Sequence, residues 1–413
     1  MTSKPAIVVA AFNRPLSLRR ILSSLHNAVF VGHTDVPLVV SIDGGGSKEV
    51  AAIAQDFEWT HGAKQVIRHE QNLGLRRHIL SCGDLSQEFG SVIVLEEDCY
   101  VSRHFYGFAV ECLNFYQDEP RIAGISLHSP RHNEAAYLPF LPLHDGRDVF
   151  FMQVPSSWGQ IWTRQQWQAF KSYYDRGQTI GPRDPLPANV IGWPETSWKK
   201  YFYKYMVEND LFFVYPAAAR ATNFCDPGTH QGRGLHLHQV PLEASRAASP
   251  SRLVSLDESQ NKYDGFYEIL PECLRSYGVD IDADAHVDLY GARQLDQNRK
   301  RYAVSIKECS APIRSFGGSL FPLPLNLIYP TPGNSICYAK REQFGPLRQG
   351  TRWNLIQKIE PVGCHLGMMA AQSSRYYRAG YALTHPVALS GFLRQELRAL
   401  FKRFGRLRAR RRP

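Results

Sequence analysis

Residues 92–102 read VIVLEEDCYVS. Four apolar side chains, Val92 to Leu95, run into three consecutive carboxylates, Glu96, Glu97 and Asp98. A short unbroken apolar run is the pattern of a strand buried on both faces, and such strands belong to parallel sheets covered by helices. In open sheets of that kind, ligands bind beyond the carboxyl ends of the strands. Carboxylates gathered there are costly to leave unpaired, and a divalent cation with oxygen ligands resolves that cost. A solvated turn after a strand accounts for the same three residues, so the flanking sequence has to separate the two readings.

The flanks repeat the alternation of strand and helix. AIVVAAF (6–12) is an apolar run, followed by Leu18, Ile21, Leu22 and Leu25 at helical spacing. VPLVVSIDGGG (36–46) is a second strand closed by Asp43 and three glycines, and Ser47 stands where a helix N-cap belongs. KQVIRHE (64–70) and LGLRRHILSCGDLSQEF (73–89) give a third strand and helix. After the carboxylates come a helix in HFYGFAVECLNFYQDEP (104–120), a strand in IAGISL (122–127) and a loop over 130–148. SSWGQIWTRQQWQAFKSYY (156–174) reads as an aromatic-rich helix with Trp158 at its mouth. DLFFVYPAAARATNF (210–224) reads as one strand, leading into the glycine-rich loop CDPGTHQGRG (225–234). The expected fold is α/β, a mostly parallel Rossmann-like sheet flanked by helices. The expected division is a main α/β domain over 1–240, a smaller α+β region over 241–389 and a tail over 390–413.

Composition agrees with a folded protein. The 413 residues are 44% hydrophobic and 21% charged, the balance of a soluble globular chain. The eight cysteines form no C-x-x-C pair, which removes zinc-ribbon and thioredoxin-like readings and leaves reduced thiols. The opening MTSKPAIVVAAFNRP reads as a first strand rather than a signal peptide, and no run reaches the ~18–20 apolar residues of a membrane span. A cytoplasmic protein is expected. The formal net charge is +10, and Ser390–Pro413 carries nine Lys/Arg against one acid, Glu396. The basic character therefore belongs to the tail. Leu393, Leu397, Leu400, Phe401, Phe404 and Leu407 follow helical spacing among those basic residues, the pattern of a helix in the interface of an anionic membrane. The expected location is peripheral, on the inner face. A helix docked on the body is the alternative. Nucleic acid is not expected, because the tail's aromatic residues lie on its apolar face.

The order of strand, FNRP (12–15) and helix, then SIDGG (41–45), HEQNLGL (69–75) and VLEEDCYVSRHFYGFAVECLNFY (94–116), resembles the nucleotide-sugar half of GT-A glycosyltransferases. It is particularly similar to the N-acetylglucosaminyltransferase I type and to bacterial glycosyltransferase family 2 relatives. The resemblance covers roughly residues 5–235. It implies that Asp98 holds Mn²⁺ or Mg²⁺ on the diphosphate of a nucleoside-diphosphate sugar, UDP-sugar first. Glu96 and Glu97 would order the strand end, Asp43 would meet the base or ribose, and Arg14 would lie near the phosphates. SSWGQIWTRQQW resembles the acceptor-side segment, with Trp158 placed to stack on a sugar, and the loop after residue 224 brings His230 to that side.

One departure stands out. Inverting members of the family carry an Asp beside a Trp before the last strand, whereas Trp198 here is flanked by Ser197 and Lys199. Glu195, or Asp226 in the later loop, would have to serve as general base. The implied activity is transfer of a hexosyl or N-acetylhexosaminyl group to a saccharide or lipid-linked saccharide, in bacterial surface polysaccharide or glycoconjugate synthesis. A sugar-phosphate nucleotidyltransferase shares the architecture, but AAFNRPLSLRR (10–20) lacks the glycines its N-terminal loop needs. A catalytically inactive, membrane-associated scaffold is the second rival, supported by the missing Asp.

Overall fold

The six residues of β1 (Ala6–Ala11) are all buried, because apolar side chains point to both faces of a strand covered on both sides. In α1 (Pro15–His26), Pro15 occupies the first turn, where its missing N–H costs nothing. The helix buries Leu18, Ile21, Leu22 and Leu25 and leaves Leu16 exposed. Each fully buried leucine stabilises the fold by roughly 1.5–3 kcal/mol. β2 (Leu38–Ile42), α2 (Lys48–Asp56), β3 (Lys64–Arg68), α3 (Gly74–Asp84), the short α4 (Ser86–Phe89) and β4 (Ser91–Glu96) follow. The Ser47 hydroxyl caps α2 by accepting from Glu49 N–H. Next come β5 (Cys99–Val101), α5 (Phe105–Phe115), β6 (Ile122–Ser126), the paired two-residue strands β7 (His132–Asn133) and β8 (Leu138–Pro139), and β9 (Val149–Met152). The computed structural model describes residues 4–228, 236–247, 249–295, 300–365 and 369.

Residues 156–174 depart from the single helix expected. Gln160–Thr163 is a strand, β10, and α6 (Arg164–Tyr174) starts only after it. Gly159, at φ +88°, turns the chain into β10, and Thr163 with Gln166 forms a reciprocal capping box that fixes the helix start. Trp158 thus stands at a strand mouth. The expected strand over 210–224 is likewise two, β11 (Phe212–Pro216) and β12 (Ala221–Asn223), reached through α7 (Ala188–Gly192) and α8 (Trp198–Glu208).

The large sheet runs β13-β9-β11-β6-β10-β4-β1-β2-β3, where β13 is Lys262–Tyr263. It is mostly parallel, with β10 inserted antiparallel between β4 and β6. Register then decides where the polar residues fall. Ala10 pairs with Glu96 and Ala11 with Ile42, so the segments after β1, β2 and β4 emerge at one edge. They carry Phe12–Arg14, Asp43 and Glu96–Asp98. β10 runs the other way, so Trp158 precedes it at that same edge. Pairing of Asn223 with Cys99 brings the end of β12 beside Asp98.

Among the described residues, those up to Gln349 form one compact unit, and a second begins at Gly350. β13 pairs with β9, Tyr116 Oη donates to Val254 O at 2.8 Å, and Asn261 Nδ2 donates to Leu143 O at 2.7 Å. These bonds weave the segment after 240 into the first unit. There α9 (Pro271–Ser276) precedes a second sheet, β14-β15-β17-β16, formed by Ala285–Asp288, Tyr302–Ser305, Ile336–Lys340 and Arg314–Phe316, with α10 at Leu325–Ile328. The second unit contributes α11 (Thr351–Ile359). The tail over 390–413 lies outside the described residues.

Candidate active site

A cavity of about 430 Å³ opens at the shared strand edge, within the ~300–1,000 Å³ typical of small-molecule sites. Arg14, Asp43, Glu96, Glu97, Asp98, Trp158 and Asp226 all line it. Seven of the residues singled out from sequence therefore meet in one place.

Asp43 is held by the backbone. Its Oδ1 accepts from Gly44 N–H at 2.8 Å and Leu73 N–H at 2.7 Å, and its Oδ2 from Gly74 N–H at 3.1 Å. One lone pair, on Oδ2, faces no donor among the described residues. Two of the glycines beside it allow close chain packing: a Cβ on Gly44 would fall 2.2 Å from the Gln71 backbone, and one on Gly46 2.1 Å from Phe12 O. Below Asp43, His78 reaches Ser41 Oγ at 2.9 Å, and burial pushes its imidazole down to about 4 against the pull of Asp43.

Arg14 is the hinge of the carboxylate cluster. Its Nε donates to Glu97 Oε1 at 2.7 Å and its Nη1 to Asp98 Oδ2 at 2.7 Å. Nη1 also reaches Asp226 O at 3.3 Å. Burial alone would lower the guanidinium pKa, but Asp98 and Glu97 outweigh it and raise it. Glu97 accepts a second bond from Phe12 N–H at 2.9 Å, and burial still holds its carboxyl above the ordinary value. Asp98 Oδ1 accepts from Asn223 Nδ2 at 2.9 Å. Glu96 receives no hydrogen bond from the described residues; burial, then the charge of Asp98, push its carboxyl up to about 8.

This donor set suits a hard dication. Mg²⁺ and Mn²⁺ are commonly held by one or two carboxylates, with waters and substrate phosphates completing the shell. Asp98 keeps a free lone pair on each oxygen, and Glu96 lacks a donor. No cluster of three or more His, Cys, Asp or Glu that would hold a metal alone exists among the described residues, so phosphate oxygens would have to complete the shell.

The two residues expected as base fare differently. Glu195 lies outside the cavity lining, with its carboxylate 69% exposed. Lys200 Nζ binds it at 2.9 Å, Tyr201 Oη donates to it, and these bonds hold it below the usual range. Ser197 starts α8 as N-cap, and Thr196, not Glu195, lines the cavity. Asp226 does line the cavity, but Ser17 Oγ at 2.6 Å and Arg20 both hold its Oδ2. Burial raises that carboxyl, and Ser17 and Arg20 overcome the effect and hold it below the usual value. His230 falls outside the described residues.

Sequence reading missed the far wall. His238 lines the cavity with Trp158, their rings stacked at 4.1 Å and 28°. The HLH stretch (236–238) is one 3₁₀ turn rather than the exposed strand its alternation suggests. It is tied to β12 by Val240 N–H donating to Thr222 Oγ1 at 2.7 Å. Lys199 Nζ stands 5.3 Å from the Trp158 ring and binds Glu134 at 3.0 Å. No local pattern announces these pairs, because they join segments tens of residues apart.

No family model matches this chain, and no curated protein does. Solved structures similar to it are glycosyltransferases. GalNAc-T7 with UDP, GalNAc and Mn²⁺ is 13% identical, at a TM-score of 0.37, over 60% of this chain and 46% of that one. The mannosyltransferase PcManGT from Pyrobaculum calidifontis, in complex with GDP-Man and Mn²⁺, is 10% identical at 0.30, over 42% and 47%. S. aureus TarS 1–349 is 11% identical at 0.35, over 52% and 59%. The match spans about half the length of each.

Proposed function

We propose that the chain is a metal-dependent, inverting glycosyltransferase that moves a sugar from a nucleoside diphosphate to an acceptor hydroxyl. The observation that carries this is the register of β1, β2 and β4, which delivers Asp43, Arg14 and an unbalanced carboxylate cluster to one cavity.

Sheet order supplies the direction. β2, β1, β4 and β10 are successive neighbours, and strand spacing of ~4.8 Å spreads them over about 14 Å. Asp43 stands at the β2 end, where its open lone pair accepts one N–H or O–H from the base or ribose. Arg14 and Asp98 lie midway, at the place of the diphosphate. Trp158 stands at the β10 end, where an apolar ring face suits a sugar. Asp98 would hold the divalent cation, with Glu96 receiving its waters. When bound, the cation would neutralise charge developing on the departing diphosphate. Arg14 keeps Asp98 and Glu97 ordered before it arrives. A panel of nucleoside diphosphates with Mn²⁺ or Mg²⁺, read by thermal shift, tests the reading: UDP should raise the melting temperature only with metal. No shift with any nucleotide would overturn it.

For the tail we propose binding to anionic lipid at the inner membrane face, as part of polysaccharide or glycoconjugate synthesis. Among the described residues, no helix is long and apolar enough to cross a membrane. A polybasic segment gains about 1 kcal/mol per Lys/Arg near an anionic surface. The full chain should sediment with phosphatidylserine vesicles and be partly released by salt, and a form lacking 390–413 should not sediment. Equal binding by both forms contradicts this.

A further inference from the structure

Within the proposed reaction, one task has no carboxylate to perform it. The acceptor hydroxyl must lose a proton as it attacks, and a base must stand within hydrogen-bond reach. The acids lining the cavity are held by backbone N–H groups, Arg14 or Arg20, or sit beside Asp98. Asp43 is bound by three backbone N–H groups. Glu97 and Asp98 belong to Arg14, and Asp226 to Ser17 and Arg20. Glu96 sits with Asp98 at the diphosphate end. Glu195 is outside.

The remaining titratable group on the acceptor wall is an imidazole. We infer that His238 is the general base, taking the proton from the acceptor hydroxyl while Trp158 holds the sugar ring beside it. Three features carry this. First, stacking against Trp158 leaves the ring nitrogens of His238 at the ring edge, and no described residue hydrogen-bonds them. Second, the turn is fixed from behind: His128 Nε2 lies 3.1 Å from His238 O. A carbonyl only accepts, so His128 carries its proton on Nε2 and donates it there. Third, His238 is neutral at pH 7. Burial, with Lys199 and His132 adding to it and Glu134 opposing it, pushes the imidazole down to about 4. His128 and the thiol of Cys225 both meet the His238 backbone, and neither is charged at pH 7. A base of that strength matches an ordinary carboxylate.

The step balances. The acceptor oxygen forms its bond to the anomeric carbon as the bond from that carbon to the diphosphate oxygen breaks. The diphosphate leaves with the electron pair, the acceptor proton passes to the His238 nitrogen, and the imidazolium later gives it to solvent.

Water can stand in for the acceptor, so release of nucleoside diphosphate from UDP-sugars with Mn²⁺ is the assay. In His238→Ala and His238→Gln, release should fall about 10²–10⁴-fold, the usual worth of a positioned base. UDP affinity by calorimetry should stay within about twofold, and added imidazole should restore part of the rate in His238→Ala only. Undiminished release in the variants overturns the assignment, as does no release from a wild type that binds donor. Loss of UDP or Mn²⁺ binding in both variants also overturns it, making His238 a donor-site residue. A wild type that binds no nucleotide overturns instead the glycosyltransferase reading on which this rests.

Discussion

The two walls of the cavity are built from opposite materials. The donor wall is charged. Glu96, Glu97 and Asp98 crowd one strand end, and Arg14 binds the last two. The acceptor wall is aromatic and neutral, with Trp158 stacked on His238 and the Lys199 charge cancelled by Glu134. Charge in a low-dielectric pocket is affordable only where a counter-ion or a charged ligand will meet it. Under the proposed function, the contrast would separate the part that meets a diphosphate from the part that meets an uncharged sugar and hydroxyl.

Removing Arg14 should break the contrast most severely. Glu97, with only 3% of its side chain exposed, would be left without its cation, and breaking a buried pair costs ~3–5 kcal/mol. Arg14→Ala should lose about that much stability by urea denaturation at pH 7. A loss below about 1 kcal/mol would show that the carboxylates find other partners.

Acid should act through the buried histidines. On the neutral wall His128 and His238 are pushed down to about 3 and about 4 by burial, and beneath Asp43 His78 is pushed down to about 4. A histidine depressed in the folded state contributes stability that is full above its unfolded pKa of ~6.5 and is lost as pH falls toward the folded value. Urea midpoints should fall between pH 6.5 and 4, and His128→Gln should flatten that decline. An unchanged slope in the variant would place the acid sensitivity elsewhere.

The contrast also explains which parts of the molecule were legible. The donor wall was readable because each strand and the polar residues that follow it are contiguous in sequence: LVVSI leads to Asp43, VIVL to Glu96–Asp98. The acceptor wall was not. Trp158 meets His238 across 80 residues, and Lys199 meets Glu134 across 65. The strand QIWT was hidden inside an aromatic helical pattern until Gly159 and the Thr163 cap divided it. Glu195 is the acid nearest Trp198 in sequence; in the fold, Ser197 N-caps α8, Thr196 lines the cavity, and Glu195 meets Lys200 and Tyr201.

The smallest effect should come from that residue. Glu195→Gln alters an exposed side chain outside both walls and keeps an acceptor oxygen for Lys200, so nucleoside diphosphate release should hold. A fall of 10²-fold or more would return the base to Glu195 and remove it from His238.

The central claim is that the β4 carboxylates hold a cation for a nucleoside diphosphate, and Asp98→Asn tests it most directly. The change is nearly isosteric and keeps an oxygen for Arg14 or Asn223, so the folded state should persist by circular dichroism. Calorimetric titration of UDP into the wild type should show binding that requires Mn²⁺, and the same titration into Asp98→Asn should show none. Equal, Mn²⁺-dependent affinity in the two proteins would contradict the account.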